Sequence, residues 1–187
     1  MTEGNRMIYI STDDTEAFKS LKAGDSVYLS GTIYTARDAA HKRIAELLKE
    51  NKPLPFPIKG AVIYYAGPTP SRAERAVGSC GPTTSSRMDK FSPELYSLGM
   101  AAVIGKGERD KTVNEACGKY KGVYFCAIGG AGALCSKAIT SSEVIAFEDL
   151  GCESIKKMTV KDFPLIVATD SSGNDIFEER AAKSLNH

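Results

Sequence analysis

Hydrophobic and polar positions follow two periods along this chain, and the switches between them mark out its elements. Ser26-Val27-Tyr28-Leu29-Ser30 alternates with period two, as a half-buried strand does, and Thr32-Ile33-Tyr34 extends it past a break or bulge at Gly31. Ala36, Ala40, Ile44, Leu47 and Leu48 recur at helical spacing and predict a helix over residues 36–49, with Thr35 and Asp38 set as an approximate capping box. Two short runs, 61–65 and 100–104, are apolar throughout and predict strands buried on both faces. Pro93 opens and Gly99 closes a short helix between them. A polar helix is expected over residues 111–120, a strand over 122–128 and a helix running through Ala138. Strands over 142–147, 153–160 and 163–168 follow, then a turn from Asp170 to Asn174. Ahead of the first long strand lie an apolar run at 7–10 and a capped short helix over 16–21. Strands interleaved with helices, then strand-rich stretches, predict an α/β fold with a mixed sheet and flanking helices.

Length changes this picture little: 187 residues suit a single domain over 1–187 with a sizeable core. The charged end forms a short helix or, over about the last ten residues, a loose tail. Lysine and arginine number 24 against 23 aspartates and glutamates, a balance that gives no support for a nucleic-acid or membrane-surface partner. No run approaches the roughly 18 apolar residues of a membrane span, and the first ten residues lack the apolar centre of a signal peptide. Cys80, Cys117, Cys126, Cys135 and Cys152 are odd in number and show no metal-ligand or redox spacing. Cys126 and Cys135 sit in apolar surroundings and are expected in the core. A reducing, cytoplasmic setting and a chain with no metal site of its own are the corresponding expectations.

Candidate chemistry concentrates in Gly81-Pro82-Thr83-Thr84-Ser85-Ser86-Arg87-Met88-Asp89. Gly-Pro presets a helix start, and two hydroxyls with an arginine one turn later make either a carboxylate or phosphate socket or an ordinary capped surface helix. Arg37 falls in the first turn of the predicted 36–49 helix, where a cation opposes the helix dipole by a few tenths to about 1 kcal/mol. It is either a solvated surface arginine or one aimed at an anion. His41, one turn on, is expected to be a structural hydrogen-bonder. Lys106, between Gly105 and Gly107 at a strand end, suits a ligand contact or a solvated loop equally. Gly129-Gly130-Ala131-Gly132 superficially resembles a phosphate loop but lacks both the GxGxxG spacing and a Gly-Lys-Ser/Thr ending, so tight helix–strand packing explains it better.

Taken in order, Ser30-Gly31-Thr32-Ile33-Tyr34-Thr35-Ala36-Arg37-Asp38-Ala39-Ala40-His41-Lys42-Arg43, the GPTTSSRMD stretch, Ile104-Gly105-Lys106-Gly107, Ile128-Gly129-Gly130 and Phe163-Pro164-Leu165-Ile166-Val167 resemble the β subunit of class I iron–sulfur fumarate hydratases and L-tartrate dehydratases. Ser85-Ser86 stands where that family often carries alanine-glycine. The resemblance implies a swivelling β/β/α domain that closes over a four-iron, four-sulfur cluster held by a partner α subunit. It implies a hydro-lyase that reversibly hydrates fumarate to malate and is active only with that partner. A tartrate dehydratase β subunit and a stand-alone, non-catalytic dicarboxylate-binding module are the alternatives. The same resemblance assigns substrate binding to Arg37, Arg87 and Lys106 and proton transfer to Thr83. Thr84 would donate to the substrate or cap the helix. A threonine hydroxyl is a poor base unaided, so Thr83 would need a charged relay partner that this chain does not identify.

Overall fold

The computed structural model describes residues 7–71, 75–127 and 132–184. Seven strands occur among these: β1 (Ile8–Ser11), β2 (Ser26–Thr35), β3 (Val62–Tyr64), β4 (Ala102–Gly105), β5 (Val123–Ala127), β6 (Ile139–Ala146) and β7 (Ile155–Thr169). They form one mixed sheet in the order β1-β2-β3-β4-β5-β7-β6, and a further antiparallel pairing of β2 with β7 closes it on itself. One edge of β2 runs along β7, while its other edge pairs in parallel first with β1 and then with β3. The chain is thus an α/β domain with β2 to β5 parallel to one another and β7 as the antiparallel closing strand.

Closure sorts the side chains into two cores. Val27, Leu29 and Ile33 of β2, Tyr64 of β3, Ile104 of β4, Phe125 of β5 and Phe163 and Leu165 of β7 face inward and pack together. The alternate residues, Ile63, Val103 and Tyr124, face outward and are covered by α1 (Asp38–Lys49), α2 (Ser92–Ser97) and α3 (Lys111–Tyr120). This is why the 61–65 and 100–104 runs are apolar throughout: each strand has a core on both faces. Two further helices, α4 (Gly132–Ala138) and α5 (Ile176–Ser184), complete the described chain, and α5 occupies the charged end.

Several expected boundaries shift for physical reasons. The strands expected over 153–160 and 163–168 are one strand, β7, which passes through the left-handed Asp162 (φ +50°) without breaking. It can do so because β2 bulges opposite, with the register slipping between Leu29 and Gly31 and the Ser30 hydroxyl accepting from the Asp162 N–H at 2.9 Å. Gly31 (φ +121°) is required there, since a Cβ would lie 2.1 Å from the Thr12 Oγ1 that accepts the Thr32 N–H. Thr35 does not cap the following helix. It ends β2 fully buried, donating its hydroxyl to the Ser154 carbonyl and accepting from the Lys156 N–H. The N-cap is Arg37, in extended conformation with no side-chain cap, so it lies just outside the first turn. The glycine-rich loop at 129–131 falls outside the described residues.

Candidate active site

Parallel strands end together, and the loops leaving their carboxyl ends share one side of the sheet. Here β2 delivers Arg37, β3 delivers Tyr65, Ala66 and Gly67, and β4 delivers Lys106. The GPTTSSRMD stretch is threaded among these ends. Pro82 bridges Ala66, the Thr83 N–H donates to the Tyr65 carbonyl at 2.7 Å, Thr84 bridges Lys106, and the Ser85 N–H donates to the Lys106 carbonyl at 3.0 Å. Gly81-Pro82 therefore does not start a helix at Thr83. Residues 82–84 are extended, the Thr83 and Ser85 amides are bonded to the strand ends, and only Ser85–Met88 coil into a single 3-10 turn with no side-chain cap. The helix-amide part of the predicted socket is absent, which leaves hydroxyls and cations.

All five residues singled out from three separate stretches lie at this end of the sheet. Arg87, on the 3-10 turn, donates Nε–H to Asp38 Oδ1 at 2.8 Å and keeps half of its side chain exposed. Arg37 runs against Gly67, with Nε 3.3 Å from Glu153 Oε1 and Nη2 3.8 Å from Asp38 Oδ2. That 3.3 Å approach is an ion pair without hydrogen-bond geometry. Thr83 is half-buried, and Thr84 and Lys106 are exposed. Lys106 is fixed through its backbone: its N–H donates to Ser85 Oγ at 2.9 Å, and the Ser85 hydroxyl lies 3.0 Å from that of Tyr124, whose own proton goes to the Gly107 carbonyl at 2.7 Å. Gly105 makes this possible, because a Cβ there would lie 1.8 Å from Ser85 Oγ. A groove of about 600 Å³ opens beside Arg87, lined by Ser86, Asp89, Lys90, Asp110 and Thr112. Arg37 and Arg87 thus stand against two carboxylates, Asp38 and Glu153, and Lys106 adds an exposed cation at the same end of the sheet.

Residues 2–180 match the family model described as Fumarase C-terminus. The chain belongs to this family. It is 44% identical over 153 residues to fumarate hydratase 1, mitochondrial, of Leishmania major, covering 81% of this chain and 28% of that protein. It is 42% identical over 167 residues to a putative L(+)-tartrate dehydratase subunit beta of Methanocaldococcus jannaschii, covering 86% of each. To the L(+)-tartrate dehydratase subunit beta of Escherichia coli it is 34% identical, over 88% of this chain and 83% of the other. The chain therefore spans little more than a quarter of the fumarate hydratase and most of each tartrate dehydratase β subunit.

Beneath the socket, this Fumarase C-terminus domain carries a buried polar network that sequence reasoning missed. The Arg109 guanidinium is wholly enclosed, donating Nε–H to Asp89 Oδ1 at 2.6 Å and Nη2–H to Ser92 Oγ at 2.7 Å. It lies over the rings of Tyr65 and Tyr124 at 5.4 and 4.8 Å. Burial works against its charge, but the surrounding groups, Asp89 among them, outweigh that and hold its pKa above the ordinary value. Asp89 also accepts the Asp110 N–H, so the end of the 3-10 turn is tied to the start of α3. Nothing in the spacing of Asp89 and Arg109 signals this pair. Only the inclusion of Asp89 in the motif hints at it.

His41 is the structural residue it was expected to be. It is buried in α1, its Nδ1 lies 2.9 Å from the Arg37 carbonyl, and its ring packs between Tyr65 and Phe91. A carbonyl partner requires Nδ1 to carry the proton, and burial pushes the pKa down to about 4, so the ring is neutral. Among the described residues no three thiols converge, although Cys80 and Cys135 lie near one another beside Tyr64. Cys80, Cys117 and Cys135 are buried, with burial raising Cys80 to about 12 and Cys117 to about 11. Cys126 is partly buried, packs against the outer core and donates to the Tyr124 hydroxyl oxygen. Cys152 is exposed. Among the described residues, no three His, Cys, Asp or Glu side chains stand close enough to hold a metal ion, and no helix is long and apolar enough to cross a membrane.

Proposed function

We propose that this chain is the β subunit of a two-subunit iron–sulfur hydro-lyase that reversibly hydrates fumarate to malate. The observation that carries this reading is the row Arg37–Asp38–Arg87, set beside Lys106 and Thr83 at the carboxyl ends of β2, β3 and β4. Dehydration of malate removes a proton next to one carboxylate while hydroxide leaves the neighbouring carbon. The negative charge released on the first carbon spreads into its carboxylate, so cations fixed around that group stabilise the transition state more than the ground state. Arg37, Arg87 and Lys106 take this role, the arginines through planar two-point contacts. Thr83, backbone-anchored to Tyr65, offers its hydroxyl to the proton's path, and Thr84 donates to the substrate. The dispersed thiols of this chain do not fit a four-iron, four-sulfur cluster, so we assign the cluster to an α subunit. The free, buried thiols suit a reducing cytoplasm.

A tartrate dehydratase β subunit is the second reading, favoured by the near full-length match to the M. jannaschii and E. coli β subunits. Anaerobic assays of the assembled complex with fumarate, L-malate and L-tartrate test both. Turnover of fumarate that is absent from this chain alone and collapses in Arg37→Ala and Arg87→Ala is expected. Tartrate turnover alone would replace the first reading with the second. Wild-type activity in both arginine variants would sink the site assignment.

A further inference from the structure

Asp38 has no part in the chemistry above, yet it touches both arginines of the site. Its Oδ1 takes the Nε–H of Arg87 at 2.8 Å, and its Oδ2 lies 3.8 Å from Arg37 Nη2, buried and accepting no hydrogen bond. A guanidinium has five N–H donors in a rigid plane, and one gripped at Nε keeps its two Nη groups free as a fork for a second carboxylate. Arg87 needs such a grip. Its side chain is 52% exposed and sits on a four-residue 3-10 turn, so a free guanidinium would wander among rotamers. Asp38 itself is well placed to provide it, being the first residue of α1 and only 27% exposed.

We propose that Asp38 is a positioning residue that holds Arg87 by its Nε edge, with Arg37 alongside, so that the Nη fork of Arg87 is preset for a carboxylate of the substrate. This rests on the proposed carboxylate-binding function. It also makes a prediction opposite in sign to simple charge counting. Removing a negative charge beside an anion site should tighten anion binding if the charge only repels, whereas losing the grip on Arg87 should weaken it.

The test is the dissociation constant of succinate, an unreactive dicarboxylate, measured by titration calorimetry on the assembled complex carrying Asp38→Asn, Asp38→Glu, Arg87→Ala or Asp38→Asn with Arg87→Ala. Succinate binding should weaken about tenfold in Asp38→Asn and less in Asp38→Glu, which retains the charge. The double variant should bind like Arg87→Ala alone, because Asp38 acts through Arg87. Unchanged or tighter binding in Asp38→Asn would overturn the proposal, as would independent multiplication of the two effects. A D38N complex that fails to assemble while the R87A complex assembles would overturn it too, by placing the role of Asp38 in the fold. If the wild-type complex neither binds succinate nor turns over fumarate, malate or tartrate, the underlying function is what fails.

Discussion

Arg109→Ala is the most demanding perturbation of the architecture beneath the site. The substitution removes a guanidinium with no exposed surface, two hydrogen bonds of 2.6 and 2.7 Å, and its packing over two tyrosine rings. It leaves Asp89, 13% exposed, with only the Asp110 N–H as partner. Stripping one member from a buried ion pair typically costs about 3–5 kcal/mol. The lower end applies here, because Asp89 keeps one charge-assisted bond and the native Arg109 Nη1 is itself buried without a partner. A loss of about 3 kcal/mol in a chain of this length lowers Tm by roughly 6–12 °C. Thermal melting followed by circular dichroism reads that shift. The decisive comparison is Arg109→Met combined with Asp89→Asn, which removes both charges, keeps the bulk and preserves an acceptor for the Asp110 N–H. That variant should recover at least half of the loss. A Tm for Arg109→Ala within 2 °C of wild type, or a double variant less stable than the single one, would refute the reasoning.

Other perturbations follow from single contacts. Gly67→Ala puts a Cβ 3.0 Å from Arg37 Nη1 and 3.3 Å from the Cys152 carbonyl, so it should displace Arg37 and raise KM several-fold with a change in stability of about 1 kcal/mol or less, checked by kinetics and melting together. Ser85→Ala strands the Lys106 N–H while Tyr124 retains the Gly107 carbonyl, a loss of about 1 kcal/mol that denaturant unfolding would register. Gly105→Ala should cost more than Ser85→Ala, and adding it to Ser85→Ala should cost less than adding it to wild type, because its Cβ would clash with the serine oxygen. His41 titrates near 4 when folded and near 6.5 when unfolded. Between those values only the unfolded chain takes the proton, so stability is full above about pH 6.5 and falls toward pH 4 by roughly 1.4 kcal/mol per unit. His41→Asn, which keeps a donor for the Arg37 carbonyl, should flatten that slope in melts recorded from pH 7 to 4.

The strands and helices were largely legible because burial imposes period on sequence. The uniform apolar runs at 61–65 and 100–104 follow from a sheet with a core on each face. Length was harder to read than existence. Lys161-Asp162 looks like a break between two strands, but a bulge in β2 lets β7 continue through it, and a partner strand's bulge leaves no mark on the strand it accommodates. The cap on α1 is hidden for a related reason: Thr35 has the right chemistry for an N-cap, but at the strand end two backbone partners claim its hydroxyl. At the site, Arg37, Arg87 and Lys106 were visible as anomalies of charge beside glycines and helix starts. Asp38, Glu153, Asp89 and Arg109 were not, since nothing local distinguishes a carboxylate that steadies a distant arginine from a solvated one.

The division between visible and hidden residues bears on substrate choice. Cations held at the ends of parallel strands recognise anions, carboxylates and phosphates alike, and fumarate, malate and tartrate each carry two carboxylates. On the proposed function, the arginine row together with Lys106 would hold a dicarboxylate without selecting which one. Discrimination by a hydroxyl needs a neutral group that would be left unpaired by the wrong substrate, and such groups separate analogues far better than charges do. Around Arg87 the hydroxyls with no partner named above are those of Thr83, Thr84 and Ser86, all on the stretch threaded between β3 and β4, whereas the Thr112 hydroxyl is spent on Asp110. Ser85 is already spent on Lys106 and Tyr124. A difference between a fumarate-selective and a tartrate-selective enzyme that originates in this chain must therefore lie in those three hydroxyls or in what turns toward them, while exchanging the cations would weaken every dicarboxylate alike.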